Sequence, residues 1–241
     1  MGSTLAMAQM LRQLDKQVTA FNVDGVPYIC EFLAGADRVV SDLPEDAAFD
    51  VTIVLDCASR ERPGERFPAR GWGERIAVVD HHKTWDGEFA DLYVRDEEAS
   101  ATGELLYRFV DYLDIALTAE VAECIYCAIM TDTGGFRYSN TSKTTFRIAG
   151  ELLDAGVDPW RMSSRVYESQ PRWRMELLSE VLQTLHLSSS GRLAFLRIER
   201  DMLGPGERTA ELTDGFINYG RSIRGVEVST QLRQLDDQRW K

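Results

Sequence analysis

The segment at residues 76–83 constrains the fold of this chain more than any other. It begins with four apolar residues and then turns abruptly polar at Asp80, His81 and His82. A short apolar run rich in β-branched residues is typical of a strand buried in a parallel sheet. Ligand sites in open α/β sheets gather at the carboxyl ends of such strands. Because the chain contains only three histidines, the pair at this strand end marks a candidate functional site.

Two further carboxylates end apolar segments. Residues 50–56 read Asp-Val-Thr-Ile-Val-Leu-Asp, which predicts a second buried strand that delivers Asp56 at its carboxyl end. A helix predicted over residues 118–130 runs into Asp132. Gly134 and Gly135 follow it, as is typical of a backbone that approaches a ligand closely. We expect these acids to be partners of the histidine pair.

Asp56, His81 and Asp132 are the residue types that a hard divalent cation needs. Carboxylates with one imidazole suit Mn²⁺, and Mg²⁺ is the alternative. Asp80 would fix the tautomer of the His81 ring. His82 cannot easily point the same way, and it would meet a phosphate oxygen or the leaving group, so His82 and Asp80 are the catalytic candidates. Each residue alone is at least as typical of a structural role, and only the combination favours a site.

Composition limits the class of protein. The 241 residues carry a net charge of −12 and are 44% hydrophobic, which indicates a folded globular protein without a broad basic face for duplex DNA. The net charge does not exclude a small nucleotide or a short single strand bound in a local basic cleft. Four cysteines, no apolar run of membrane length and no signal-peptide pattern predict a cytoplasmic protein without a membrane partner. Cys124 and Cys127 fall within a helical run, so we expect two buried thiols.

The order of elements predicts an α/β protein in three parts. These are a parallel-sheet domain at residues 1–158, a helical linker at 159–186 and a smaller α+β unit at 187–241. Helices are expected at residues 99–113, 171–186 and 213–223, and strands at 192–198 and 225–235.

Several motifs together resemble the DHH phosphoesterase superfamily. They are Val-Asp-His-His-Lys at 79–83, Leu-Asp-Cys at 55–57, the run at 130–141, Gly-Ser-Thr-Leu-Ala at 2–6 and the stretches at 218–223 and 225–228. The last two resemble the start of the DHH-associated domain. Within the superfamily, the chain is most similar to bacterial oligoribonucleases that also act as 3′-phosphoadenosine 5′-phosphate phosphatases.

The resemblance implies a fold, a reaction and residue roles. It implies a parallel-sheet catalytic domain, a helical linker and a small substrate-binding domain. It also implies Mn²⁺-dependent hydrolysis, by a metal-activated water, of short single-stranded RNA or a small nucleotide. Asp56 would bridge two metal ions, of which His81 and Asp132 would hold one. His82 would contact the scissile phosphate. Arg137 and Tyr138 lie where a substrate contact is expected, and the choice between a monomer and a homodimer stays open.

Two family motifs fall outside the sequence. A His followed by Asp-x-Asp is expected before Gly2, and a glycine-rich stretch is expected after Lys241. We therefore expect a chain truncated at both ends, with at most one Mn²⁺ ion well held and weak hydrolysis. The alternatives are a degenerate, non-catalytic nucleotide-binding protein, and a cyclic-dinucleotide phosphodiesterase or inorganic pyrophosphatase of the same superfamily.

Overall fold

The structure, a computed structural model, divides into two compact units, Met1–Glu168 and Ser169–Lys241. It describes residues 1–44, 46–57, 59–60, 62–64, 67, 72–84, 89–203, 213–236 and 238–241. Within these ranges, no helix combines the length and the apolar character that crossing a membrane requires. Each unit has its own hydrophobic core.

The strands of the first unit form two parallel sheets. They are β1 (Ala20–Phe21), β2 (Val39–Val40), β3 (Phe49–Leu55), β4 (Gly73–Asp80) and β5 (Leu92–Arg95). β1 pairs with β2, and β4 lies between β3 and β5 in the larger sheet. Every one of these pairings is parallel. The predicted α/β class with a parallel sheet is confirmed.

The central strand β4 is buried, whereas β3 is partly exposed. Ile76, Val78 and Val79 are buried, as the apolar run predicts. Among the described strands β3 pairs only with β4, and Val51 keeps 49% of its surface exposed. The prediction of a buried strand at residues 50–56 is therefore wrong for its first half, because a strand with one neighbour leaves part of its surface uncovered.

Helices build the main core of the first unit. They are α1 (Gly2–Gln13), α2 (Thr102–Tyr112), α3 (Ala119–Asp132), α4 (Lys143–Asp154) and α5 (Pro159–Ser163), and a π-helical turn follows at Ser164–Glu168. Short 3₁₀ turns lie at Tyr28–Cys30 and Ala36–Arg38. α3 packs against α1, α2 and α4. A Cβ on Gly2 would sit 2.6 Å from the carbonyl oxygen of Cys124, so glycine permits the close approach of α1. Cys124 and Cys127 are buried free thiols, as expected.

The second unit is a small α+β structure. Its elements are α6 (Arg172–Gln183), β6 (His186–Leu187), β7 (Leu193–Ile198), α7 (Arg200–Leu203), α8 (Ile217–Arg221) and β8 (Val228–Arg233). β7 pairs antiparallel with β6 and parallel with β8. Leu177, Val181, Leu196 and Phe216 lie in its core.

Two predicted helices in this unit are shorter than expected. α6 ends at Gln183 instead of His186, because the chain there begins the strand β6. The helix predicted at residues 213–223 is reduced to α8, since Gly215 adopts a φ of 84° in the turn before it. The predicted linker at 159–186 contains α5 and α6, and the boundary between the two units falls between these helices. The three-part division of the chain stays a prediction.

Candidate metal centre

The candidate site is assembled at the ends of three elements. Asp56 follows β3, Asp80 ends β4 with His81 directly after it, and Asp132 ends α3. β3 and β4 are parallel neighbours, so the first two of these acids leave the sheet at the same end. Asp56 has a φ of 61°, which lies in the left-handed region that aspartate tolerates better than most residues.

The His81 imidazole lies between two carboxylates. Its Nε2 is 3.5 Å from Asp56 Oδ1 and 3.5 Å from Asp132 Oδ2. Its Nδ1 is 3.2 Å from the carbonyl oxygen of Ala99. Because a carbonyl oxygen only accepts hydrogen bonds, Nδ1 carries the proton of the neutral ring, and the lone pair on Nε2 faces the carboxylates. A metal-binding histidine needs this orientation.

A different carboxylate holds His82. Its Nδ1 lies 2.6 Å from Asp80 Oδ1, and the same oxygen accepts a 2.9 Å hydrogen bond from the backbone N–H of His81. Asp80 is fully buried, and its Oδ2 has no hydrogen-bond partner among the described residues. Asp80 therefore orients His82. The prediction that it fixes the tautomer of His81 is wrong, because the carbonyl of Ala99 occupies that position.

The pKa values of the two outer acids move in opposite directions. Burial opposes ionisation of Asp56, but hydrogen bonds from His81 and Thr102 outweigh it and lower the pKa to about 2. Burial raises the pKa of Asp132 to about 6, and the negative charge of Asp56 adds to this effect. Burial disfavours the charged form of His81. Nevertheless its pKa is raised, because Nε2 of the protonated ring donates a hydrogen bond to Asp56 and lies near the charge of Asp132. A cation placed here would relieve the repulsion between the two acids.

The donor atoms at this site fit a divalent cation. One ligand atom from each of Asp56, His81 and His82 lies within 4.8 Å of the others, and the described part of the chain holds no second group of this kind. Asp132 joins the set through its contact with His81. Carboxylate oxygens with imidazole nitrogen suit Mn²⁺. Burial raises the pKa of the neighbouring Cys57 thiol to about 11, so this thiol is protonated at neutral pH in the metal-free chain.

Two polar side chains that the sequence patterns did not single out complete the site. Thr102 donates a 2.9 Å hydrogen bond from Oγ1 to Asp56 Oδ1. Asn140 donates from Nδ2 to the carbonyl oxygens of Ser100, at 2.9 Å, and of Asp132, at 3.1 Å. The helix predicted from residue 99 in fact begins at Thr102, which leaves residues 99–101 as a buried non-helical segment against the site. Little in the sequence signals this start, because Ala101 and not a serine or threonine occupies the N-cap position of the helix.

The loop after Asp132 carries the predicted substrate contacts. Gly134 has a φ of 57°, and a Cβ there would sit 2.3 Å from the Tyr138 ring, so this loop requires glycine. Arg137 donates from Nε to the carbonyl oxygen of Gly134 at 2.6 Å and is exposed. The structure thus places Arg137 and Tyr138 on a tight loop next to Asp132, and their contact with a substrate stays a prediction.

Comparisons with known proteins agree with this architecture. The model of the DHH family, N-terminal domain, matches residues 1–129. The bifunctional oligoribonuclease and PAP phosphatase NrnA of Thermus thermophilus is 30% identical over 239 residues, which cover 98% of this chain and 69% of that protein. The protein of the same name from Bacillus subtilis is 28% identical over 243 residues, which cover 98% of this chain and 74% of that protein.

A solved structure resembles the fold along nearly the whole chain. It is the crystal structure of an exopolyphosphatase-related protein from Bacteroides fragilis, with a TM-score of 0.84 and 28% identity. The match covers 96% of this chain and 71% of that one. The family model spans more than half of the sequence, and a relative at 30% identity spans almost all of it. This chain therefore belongs to the DHH family.

Proposed function

We propose that this chain is a Mn²⁺-dependent phosphoesterase that hydrolyses short oligoribonucleotides and 3′-phosphoadenosine 5′-phosphate. The observation that carries the proposal is the position of His81 Nε2, at 3.5 Å from both Asp56 Oδ1 and Asp132 Oδ2. The substrates are those in the names of the relatives from Thermus thermophilus and Bacillus subtilis. The net charge of −12 disfavours duplex nucleic acid as a substrate.

Asp56, His81 and Asp132 are the residues that would hold the metal ion. A divalent ion bound there supplies Lewis-acid chemistry, which polarises a phosphoryl oxygen and lowers the pKa of water. Asp56 is ionised throughout the neutral range, since its pKa is about 2. The Nδ1–H of His81 is held by Ala99, which keeps Nε2 available as a donor atom. Asp56 therefore needs no deprotonation before it binds metal, whereas His81, whose pKa is raised, must first lose the proton on Nε2.

His82 is the group we assign to the substrate. Its Nδ1 is held by the buried carboxylate of Asp80 at 2.6 Å, which fixes the orientation of the ring. The other ring nitrogen is then free to donate a proton to a phosphate oxygen or to the leaving oxygen. Arg137, exposed on the loop after Asp132, is the cation that we assign to a second phosphate or to the ribose–phosphate backbone.

The test is hydrolysis with enzyme in excess over substrate, so that a single turnover is measured. Dinucleotide RNA and 3′-phosphoadenosine 5′-phosphate are each incubated with the full chain and Mn²⁺, with and without a chelator. We expect chelator-sensitive hydrolysis that falls at least about 100-fold in His81→Ala and His82→Ala. His186→Ala is the matched control, because it removes the third histidine, which is exposed on β6. It is expected to leave the rate unchanged.

Other outcomes separate the alternatives. Nucleotide binding without any hydrolysis, in wild type as in His82→Ala, would favour the non-catalytic nucleotide-binding protein. Faster hydrolysis of pyrophosphate or of a cyclic dinucleotide than of both proposed substrates would favour the corresponding relative of the superfamily. Hydrolysis that survives His81→Ala would contradict the proposed role of the site.

A further inference from the structure

A second buried acid lies behind the metal centre. Glu104, in the first turn of α2, keeps 1% of its surface exposed. Its Oε1 accepts hydrogen bonds from Ser100 Oγ, at 2.5 Å, and from Thr145 Oγ1, at 2.7 Å. Ser100 and Thr145 are themselves fully buried. Burying a carboxylate costs free energy unless it is well hydrogen-bonded, so an apolar residue would pack two helices together at lower cost.

The hydrogen bonds of this cluster have only one consistent direction when Glu104 accepts. The hydroxyl of Thr145 donates its only proton to Glu104. It therefore accepts a 3.0 Å hydrogen bond from Ser142 Oγ. Ser142 Oγ in turn accepts from the backbone N–H of Thr145 at 3.1 Å. The network therefore runs in one sense from the start of α4 to Glu104. A one-directional network of buried groups fixes its members more rigidly than an apolar contact does.

Ser100 belongs to the segment 99–102, which is hydrogen-bonded to two of the proposed metal ligands and is linked to the third through Asn140. The carbonyl of Ala99 holds His81 Nδ1 at 3.2 Å. The hydroxyl of Thr102 holds Asp56 at 2.9 Å. The carbonyl of Ser100 accepts from Asn140, which also bonds to the carbonyl of Asp132. One short segment thus contacts two of the three residues to which we assign the metal, and Asn140 links it to the backbone of the third.

We propose that Glu104 is a positioning residue: through Ser100 it fixes segment 99–102, and this segment sets the tautomer of His81 and the rotamer of Asp56 for metal binding. The inference rests on the proposed metal site, although it concerns a property of the metal-free chain. Metal ligands must be held within about 0.5 Å of their productive geometry, and the groups behind them supply this precision. Within the described part of the chain Glu104 accepts hydrogen bonds from Ser100 and Thr145 and from none of the three proposed ligands, so its effect passes through the segment.

The chain offers a matched control for a role limited to joining helices. Tyr107 Oη on α2 donates a hydrogen bond to Glu151 on α4. Tyr107→Phe therefore removes one hydrogen bond between the same two helices as Thr145→Val does. This bond does not involve segment 99–102. A purely structural tie predicts similar effects from the two variants, whereas a positioning role predicts an effect from Thr145→Val alone. Thr145→Val also removes the two hydrogen bonds that Thr145 Oγ1 forms with Ser142, so Ser100→Ala, which leaves that cap intact, is measured beside it.

The test uses the full chain with ¹⁵N-labelled histidine and two readouts. The first is the imidazole ¹⁵N spectrum without metal, at a pH where His81 is neutral, because the chemical shifts of the two ring nitrogens report the tautomer. With only three histidines in the chain, the His81 signals are assigned by comparison with His81→Gln. The second is the dissociation constant for Mn²⁺, measured from the electron paramagnetic resonance of the free ion.

Wild type is expected to show the Nδ1–H tautomer at His81. Ser100→Ala and Thr145→Val are expected to mix the two tautomers and to weaken Mn²⁺ binding about 10- to 100-fold. Thr145→Ser keeps the hydroxyl and is expected to restore both readouts, and Tyr107→Phe is expected to match wild type. Glu104→Leu is expected to behave like Thr145→Val, and should it not fold, the hydroxyl variants decide the question.

The inference is overturned if Thr145→Val keeps the wild-type tautomer and Mn²⁺ affinity, or if Tyr107→Phe changes both as much as Thr145→Val does. The proposed function fails separately. A chain with the expected tautomer and Mn²⁺ affinity that hydrolyses no phosphoester would contradict the phosphoesterase proposal and leave the positioning role intact.

Discussion

Replacing Asp132 with asparagine is expected to stabilise the metal-free protein while weakening its metal site. The pKa of Asp132 is raised from an ordinary 3.8 to about 6, chiefly by burial and then by the charge of Asp56. Each pKa unit corresponds to ~1.36 kcal/mol, so ionised Asp132 costs the folded state up to about 3 kcal/mol. Its side chain is 32% exposed, and solvent screening reduces this figure. We therefore expect Asp132→Asn to raise the free energy of unfolding by about 1–3 kcal/mol at pH of about 8.

The pH dependence gives the sign of this effect. Because the folded-state pKa of Asp132 lies above its ordinary value, the destabilisation is fully present above pH of about 6 and disappears below about 3.8. The gain from Asp132→Asn should therefore be close to zero near pH 4 and grow through pH 6. Excess Mn²⁺ should reverse the order of stability, because it stabilises only the form that binds it well.

The assay is hydrogen exchange in rising urea, with a chelator present, read on peptides from α3. This reports the unfolding of the first unit separately from the second. Asp154→Asn, an exposed residue at the end of α4, is the control, and it should change stability by less than about 0.5 kcal/mol. An Asp132→Asn variant that is no more stable than wild type at about pH 8 would contradict a raised pKa for Asp132. A gain that stays constant between pH 4 and 8 would refute it equally.

Three further outcomes are expected. Thr102→Val should weaken Mn²⁺ binding about 10-fold, because Asp56 loses the hydroxyl that donates a hydrogen bond to it. Thr102→Ser keeps a hydroxyl and should bind Mn²⁺ as wild type does. Equal Mn²⁺ affinity of the two variants would contradict this prediction. Gly134→Ala should lower the free energy of unfolding by at least about 2 kcal/mol, because the added Cβ would lie 2.3 Å from the Tyr138 ring. Gly150→Ala, whose Cβ would lie in open space on α4, should be neutral or stabilising. Thermal unfolding measures both variants. Mn²⁺ affinity should fall steadily as the pH drops through the raised pKa of His81, and an affinity that does not vary with pH would argue against this ligand.

The ends of the strands could be predicted from the sequence because they follow from local pattern. The apolar run before Asp80 has the length and β-branched character of a buried strand, and the structure buries it in the centre of a sheet. The approach of Asp56 to His81 follows from parallel strand order alone. The exposed surface of Val51 does not, because burial of a strand depends on how many neighbours the fold gives it.

The groups behind the site could not be predicted, because they meet through tertiary contacts. Thr102 reaches Asp56 across 46 positions of the chain, and Thr145 reaches Glu104 across 41. Neither pair leaves a periodic signal in the sequence. Ser142 and Thr145 form a capping box, and only the role of Ser142 could be predicted from the sequence, because serine is a typical N-cap residue. The connection of this box to a buried acid depends on how α2 and α4 pack.

The proposed function depends above all on the ability of His81, between Asp56 and Asp132, to bind a divalent ion. Electron spin-echo envelope modulation of Mn²⁺ bound to the full chain tests this directly, because it detects a nitrogen coordinated to the ion. We predict an imidazole nitrogen coupling in wild type that persists in His186→Gln and disappears in His81→Gln. A spectrum without nitrogen coupling, or a coupling that survives His81→Gln, would contradict the proposal.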